Sequence, residues 1–330
     1  MASIRDVAKK AGVSITTVSR ALNNYDDVSQ ETKRRILEIS REMHYSPNAS
    51  ARNLASKQSR IIGFLFSDVK ETDMNGNIIF RLLKGAQSAC DEQDYELEIL
   101  FTNMEKQKKK TLEDLCRERN LGGIVLYGLK STDTYNRELA ALTIPCVGID
   151  VEKAPVTVCT NNDQAVEEII RLFAQKGKSR IGMINGSMDA DISRVREMAY
   201  IRAMRALGFD VPLKSVRYAD YFEQKAYEET FKLMNDRPEL EGIFAASDQM
   251  ALGVIRALKE MGKKIPEDVA VAGIDGIQIG EYITPSLTTV VQQFKEMGRR
   301  AVFLLERMQK GETVNYIEYV DHVLVERQSV

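Results

Sequence analysis

The chain has 330 residues, 44% of them hydrophobic, and a formal net charge of −2, which is enough apolar material for a sizeable core spread over two or three domains. That charge is uneven: residues 1–60 hold eleven Lys/Arg against six Asp/Glu, leaving 35 against 42 for the remainder, so a small basic head precedes an acidic body, as suits one end lying on phosphate. Four scattered cysteines and two histidines argue against a zinc site, a disulfide framework or any other metal or cofactor site, and the lack of an apolar N-terminal core or of a run near the roughly 18 residues of a membrane span predicts a cytoplasmic protein.

The first predicted helix places Ile4, Val7, Ala8 and Ala11 on one stripe, with Ser3 and Asp6 as an N-cap pair. Gly12 ends it where a left-handed residue is wanted, and Ser14 caps the next. The second helix is expected to bury Ile15, Val18 and Leu22. Its other face presents Thr16, Thr17, Ser19, Arg20 and Asn23, short or forked hydrogen-bonding groups of the kind that reach base edges in a major groove. A third helix begins at 28–32 and packs Ile36, Ile39 and Met43 inward, completing a three-helix core. After Tyr45 come Ser46-Pro47-Asn48 and a short segment containing Ala51-Arg52-Asn53-Leu54-Ala55.

Residues 4–60, with the Tyr-x-Pro-Asn entry and the Ala-x-x-Leu-Ala that follows, closely resemble the DNA-binding head and hinge of the lactose-repressor/galactose-repressor (LacI/GalR) family. The resemblance implies base reading by Ile15, Thr16 and Arg20. It also implies a hinge that becomes helical on DNA, with Leu54 wedged into a minor-groove step. A helix that short is marginal alone and needs a docking surface. The candidate DNA contacts are thus Ser14, Ile15, Thr16, Thr17, Ser19, Arg20, Asn23, Tyr45, Asn48, Ala51 and Leu54.

From Ile61 the pattern alternates β-rich apolar runs with amphipathic helices. Strands are predicted at 61–66, 96–101, 122–126 and 144–148, with helices at 77–92 and 105–118. The rhythm restarts at Ser179-Arg180-Ile181-Gly182, an echo of Ser59-Arg60-Ile61-Ile62-Gly63, with strands near 180–184, 214–218, 241–245 and 269–273. Alternating βα units imply two parallel sheets, and hence two lobes with ligand sites beyond the C-terminal strand ends.

The expected fold is α/β: a helix-turn-helix head (1–47), a hinge (48–60), and a two-lobed core resembling periplasmic sugar-binding proteins (61–330). The first lobe is expected to comprise about 61–158 and 292–316, and the second about 161–290 and 317–330. No heptad-bearing tail follows Val330, so a homodimer is expected rather than a tetramer.

Ala246-Ser247-Asp248-Gln249-Met250, Gly273-Ile274-Asp275-Gly276 and Pro285-Ser286-Leu287 extend the family resemblance into the body. It implies a cleft in which Arg196 and Asp275 grip neighbouring hydroxyls of a sugar. Tyr221 and Phe294 form its walls, and Asn161, Ser247 and Gln292 its polar lining. Asn161 stands where many members carry aspartate, Ser247 where asparagine is usual and Ala199 where glycine is usual.

These features together predict a repressor that binds double-stranded operator DNA under control of a small effector, a sugar or sugar derivative. The alternatives are a sugar-binding protein without a regulatory role and a co-repressor-dependent or global regulator of carbon catabolism. Enzymatic chemistry lacks support. Gly177-Lys178-Ser179 misses the first glycine of a phosphate loop at position 172, and Asp248 with Asp275 is the sole carboxylate pair worth nominating. Asp248 is expected instead to cap the helix that starts at Ser247.

Overall fold

In a computed structural model the chain divides into two compact units, 1–59 and 60–330, of which residues 2–22, 25, 27–45, 59–69 and 78–330 are described. The expected head contacts Asn23, Asn48, Ala51 and Leu54 lie outside those residues.

The first unit holds α1 (Ile4–Ala11), α2 (Ile15–Leu22) and α3 (Gln30–Glu42). Ser3 and Asp6 form a reciprocal capping box on α1, and Gly12 takes φ 64° in the left-handed region that L side chains avoid. Ser14 Oγ accepts from the Thr17 N–H at 3.0 Å, and Ser29 caps α3 through Thr32. The core is Val7, Ala8, Ala11, Val18, Ala21, Val28 and Ile36, with Ile39, Met43 and Tyr45 packed at its margin. Ile15 is not part of it. At the first position of α2 it is 44% exposed, and the buried residues of that helix are Val18 and Ala21.

The second unit begins with β1 (Ile61–Ser67), α4 (Ile78–Gln93), β2 (Glu96–Thr102), α5 (Met104–Lys109), α6 (Leu112–Glu118) and β3 (Gly123–Tyr127). The single helix expected over 105–118 is two helices. Lys110 is extended and Thr111 accepts from the Asp114 N–H to start α6 afresh. Then follow α7 (Thr134–Glu138), β4 (Cys146–Ile149) and β5 (Val156–Thr160). Six parallel-paired strands form a sheet in the order β11-β5-β4-β3-β1-β2. Burial on both faces is visible along β1, where Ile62, Phe64 and Phe66 enter one core and Leu65 another.

The second sheet is built from the same rhythm: α8 (Asn162–Gln175), β6 (Ile181–Asn185), α9 (Asp191–Ala206), β7 (Val216–Tyr218), α10 (Glu223–Asp236), β8 (Gly242–Ala245), α11 (Asp248–Glu260), β9 (Ala270–Asp275), α12 (Ile279–Tyr282) and β10 (Thr288–Gln292). After α13 (Phe294–Gln309) come β11 (Ile317–Val320) and β12 (His322–Val325). The order is β12-β10-β9-β8-β6-β7, with β12 antiparallel to β10. Residues 317–320, expected in the second lobe, instead pair in parallel with Thr157–Thr160 of the first, so the last passage between lobes falls at Asp321.

Helices α4 and α13 approach so closely that a Cβ on Gly85 would lie 1.8 Å from the Lys295 carbonyl oxygen, and one on Gly298 would lie 2.1 Å from that of Leu82. This pair of glycines clamps α13 to the first sheet just as the chain leaves β10 of the second.

Candidate ligand cavity and nucleic-acid interface

Each sheet reverses its strand order at one place, between β1 and β3 in the first lobe and between β6 and β8 in the second. Loops leaving the C-terminal strand ends diverge there and leave a crevice. A cavity of about 490 Å3 opens at both reversal points, lined by Ser67, Asp68, Tyr127 and Lys130 from one sheet and by Ser187, Ser247 and Asp275 from the other.

Arg196 rises from α9 and is 3% exposed. Its Nε donates to Asn162 Oδ1 at 2.9 Å and its Nη1 to the Ala246 carbonyl at 2.6 Å, so its position is fixed by the start of α8 and the end of β8. Asp275 closes β9 with φ 132°. Gln292 Nε2 donates to its Oδ1 at 2.8 Å, while Gln292 Oε1 accepts from Thr160 Oγ1 at 2.8 Å. Gln292 and Thr160 end β10 and β5, the strands that feed two passages between lobes. The carboxylate in the cavity is therefore wired to those crossings.

The walls follow from two local devices. Tyr221 has φ 64°, its hydroxyl lies 2.9 Å from Ser193 Oγ, and its ring occupies space that any side chain on Gly186 would take. Phe294 opens α13 and carries the Arg81 guanidinium 5.1 Å from its ring centre. Arg81 in turn donates to the Gln292 carbonyl at 2.7 Å and the Gly276 carbonyl at 3.3 Å, tying α4 of the first lobe to strand ends of the second. Ser247 lines the cavity while its Oγ accepts from the Met250 N–H at 3.2 Å.

Six of the seven expected ligand residues, Arg196, Tyr221, Ser247, Asp275, Gln292 and Phe294, thus meet around one cavity. Asn161 does not join them. Its Oδ1 accepts from the Gln164 N–H at 3.3 Å and caps α8, while its neighbour Asn162 turns inward to hold Arg196. Besides Asp275, the acidic group that Arg196 acts on is Asp150, at the end of β4 with φ 55°. Burial pushes its carboxyl up to about 6, against the opposing pull of Arg196. Burial also raises Asp275, again opposed by Arg196, with Asp248 and Asp150 adding to the rise.

Asp150 carried a legible signal: Gly148-Ile149-Asp150 repeats the Gly273-Ile274-Asp275 of the other half. Asp248 is no part of the lining. Ser247, not Asp248, caps α11, and Asp248 accepts from Thr289 Oγ1 at 2.6 Å and from the Ile277 N–H at 2.9 Å.

In the head unit, α2 presents Ile15, Thr16 and Arg20 on its exposed side. Ser14 and Thr17 are engaged with each other, their hydroxyls 2.8 Å apart. Ser19 is partly covered, and Tyr45 packs against the core. Arg20 lies 5.2 Å over the Tyr25 ring and pairs with Asp27, Nη2 to Oδ2 at 2.7 Å. An exposed pair of this kind is worth about 0–1 kcal/mol, so it orients the guanidinium without fixing it.

Residues 3–48 match the family model described as bacterial regulatory proteins, lacI family, and residues 170–330 the one described as a periplasmic binding protein-like domain. The HTH-type transcriptional regulator MalR of Clostridium butyricum is 30% identical over 343 residues, covering 99% of this chain and 98% of that one. Among solved structures, the transcriptional regulator CelR–cellobiose complex superposes with a TM-score of 0.75 at 25% identity over the full length of both chains. The lac repressor dimer bound to operator and the anti-inducer ONPF does so with a TM-score of 0.86 at 24% identity, covering 99% of this chain and 98% of that one.

Proposed function

The chain belongs to the lacI family of bacterial regulatory proteins, and from that premise we propose that it is a dimeric transcriptional repressor, acting in the cytoplasm, whose hold on a near-palindromic operator is set by a sugar-like ligand bound between its two lobes. The observation that carries this reading is the cavity at the two strand-order reversals, with the fixed Arg196 facing Asp150 and Asp275. A guanidinium fork beside carboxylates suits adjacent hydroxyls, and the solved structure of the regulator CelR is a cellobiose complex.

In this reading Ile15, Thr16 and Arg20 read base edges while Ser14, Thr17, Ser19, Asn23, Tyr45, Asn48 and Ala51 support or contact the backbone, and Leu54 is the minor-groove wedge. Ligand binding changes the angle between the lobes through the strands that end in Thr160 and Gln292. A coupling of roughly 1–3 kcal/mol corresponds to a 5–150-fold change in operator affinity. Binding rather than turnover is favoured because Asp248, the second carboxylate an enzyme would need, has both oxygens committed to Thr289 and Ile277. No helix among the described residues is long and apolar enough to cross a membrane.

Operator selected from a random-sequence pool by the purified protein provides the test. Arg20→Ala is expected to bind the selected site no better than random DNA, whereas retained discrimination would mean that another surface reads the sequence. Addition of the cognate sugar is expected to change the affinity for the selected site, and an affinity indifferent to every sugar tried would count against ligand control.

A further inference from the structure

The polar groups of the cavity are unevenly matched. Among the described residues six carboxylates line it, Asp68, Asp150, Asp189, Asp191, Asp220 and Asp275, against two cations, Lys130 and Arg196, with Asp220 paired to Lys225 just outside the lining. Both cations are already engaged by the protein. Arg196 holds Asn162 and the Ala246 carbonyl, and Lys130 Nζ sits 3.0 Å from Asp68 Oδ2 and 3.9 Å from Asp189 Oδ2. Three acceptors are left over: Asp150 Oδ1, Asp191 Oδ2 and Gln249 Oε1 are closed off from solvent, have no hydrogen-bond partner and belong to residues of the lining. A buried acceptor without a donor is unfavourable, and three among the residues of one lining leave the cavity rich in acceptors and short of donors.

The start of α9 adds a fourth consideration. A helix N-terminus elsewhere offers its free N–H groups to phosphate. Here the first residue of the helix is Asp191 itself, whose carboxylate opposes an anion at that end.

We propose that this cavity is built for a donor-rich polyhydroxylated ligand without an anionic group, and that it discriminates against phosphorylated and carboxylated sugars. The inference rests on the cavity being the effector site. An unmodified sugar brings hydroxyl protons to this acceptor-rich lining. A phosphate or carboxylate group brings only acceptors and meets like charge, and among the described lining residues neither cation is without a protein partner.

The test uses the full-length protein in thermal-shift and calorimetric titrations against matched sets: glucose, glucose 6-phosphate and glucuronate; cellobiose and cellobionate; ribose and ribose 5-phosphate. Each neutral member that binds is expected to do so about tenfold or more tightly than its anionic partners, and Asp191→Asn and Asp150→Asn to narrow that ratio. An anionic member binding as tightly as its parent, or a ratio unmoved in both variants, would overturn the proposal. Inorganic phosphate, titrated against chloride at matched ionic strength, reads the exclusion without any sugar. Silence there supports the proposal even where every sugar fails, an outcome that counts against the sugar reading alone. Stabilisation by phosphate that Arg196→Ala removes refutes it.

Discussion

Gly148-Ile149-Asp150 ends β4 of the first lobe and Gly273-Ile274-Asp275 ends β9 of the second, and both aspartates leave their strands with positive φ, 55° and 132°. The same three residues at equivalent places in two sheets deliver two carboxylates to one cavity. Their surroundings differ. Asp275 is 5% exposed and receives the Gln292 amide, which is itself tied to Thr160. Asp150 keeps Oδ1 buried and unpartnered. A duplicated strand end has thus yielded one carboxylate anchored to the crossings between lobes and one with an oxygen that is buried and unpartnered.

Arg196 is the group both carboxylates depend on, so its loss tests the comparison hardest. Arg196→Ala removes the counter-charge from Asp150 and Asp275 together and strips Asn162 of its donor. We expect a loss of about 3–5 kcal/mol in urea unfolding together with loss of the ligand-induced thermal shift. Adding Asp150→Asn to that variant is expected to restore part of the stability and none of the ligand response. Recovery of both would mean that Arg196 balances charge and does not touch the ligand.

How much of this was legible in the sequence follows the same division. Asp275 lies in the Gly-Ile-Asp-Gly motif, Arg196, Tyr221, Gln292 and Phe294 were placed by the same family resemblance, and all five line the cavity. Asp150 was missed because its Gly-Ile-Asp lies before a short strand, β5, that the apolar pattern did not reveal. Attention fell instead on Asn161, just beyond that strand. A one-strand error there exchanges a cavity wall for a helix cap. The last strands escaped for a related reason: β11 and β12 are four residues each with one fully buried position between them, too short and too little buried for periodicity to mark. The exposure of Ile15 contradicts the apolar stripe read for α2 and agrees with the base-reading place that the family resemblance implies. Amphipathic pattern alone cannot tell an apolar residue meant for the core from one meant for a partner.

The second test separates the two aspartates through pH. Asp150 is raised from 3.8 to about 6 by burial, so in that interval the folded protein keeps a proton that the unfolded chain has released. Stability therefore falls as pH rises from about 4 to about 6 and is flat above, as far as this group is concerned. Asp150→Asn removes the penalty. Its advantage over the parent is expected to grow across that window to roughly 1–2 kcal/mol at neutral pH, read by urea unfolding at successive pH values. A constant difference, or one that shrinks with pH, would show that Asp150 is not the strained member of the pair.

The smallest effect concerns the residue next to the site. Asn161 accepts from the Gln164 N–H, whereas Asn162, one position on, holds Arg196. Asn161→Ala should cost about 1 kcal/mol, as a lost N-cap does, and leave ligand affinity unchanged. Asn162→Ala, with a similar deletion, frees the Arg196 Nε and is expected to weaken ligand binding out of proportion to its effect on unfolding. The ratio of the two effects, measured by calorimetric titration and urea unfolding on the same preparations, separates a cap from a positioning group. Were Asn161→Ala to lower ligand affinity more than Asn162→Ala, the polar rim of the cavity would extend to the start of α8, and Asn161 would belong with Asp150 and Asp275 after all.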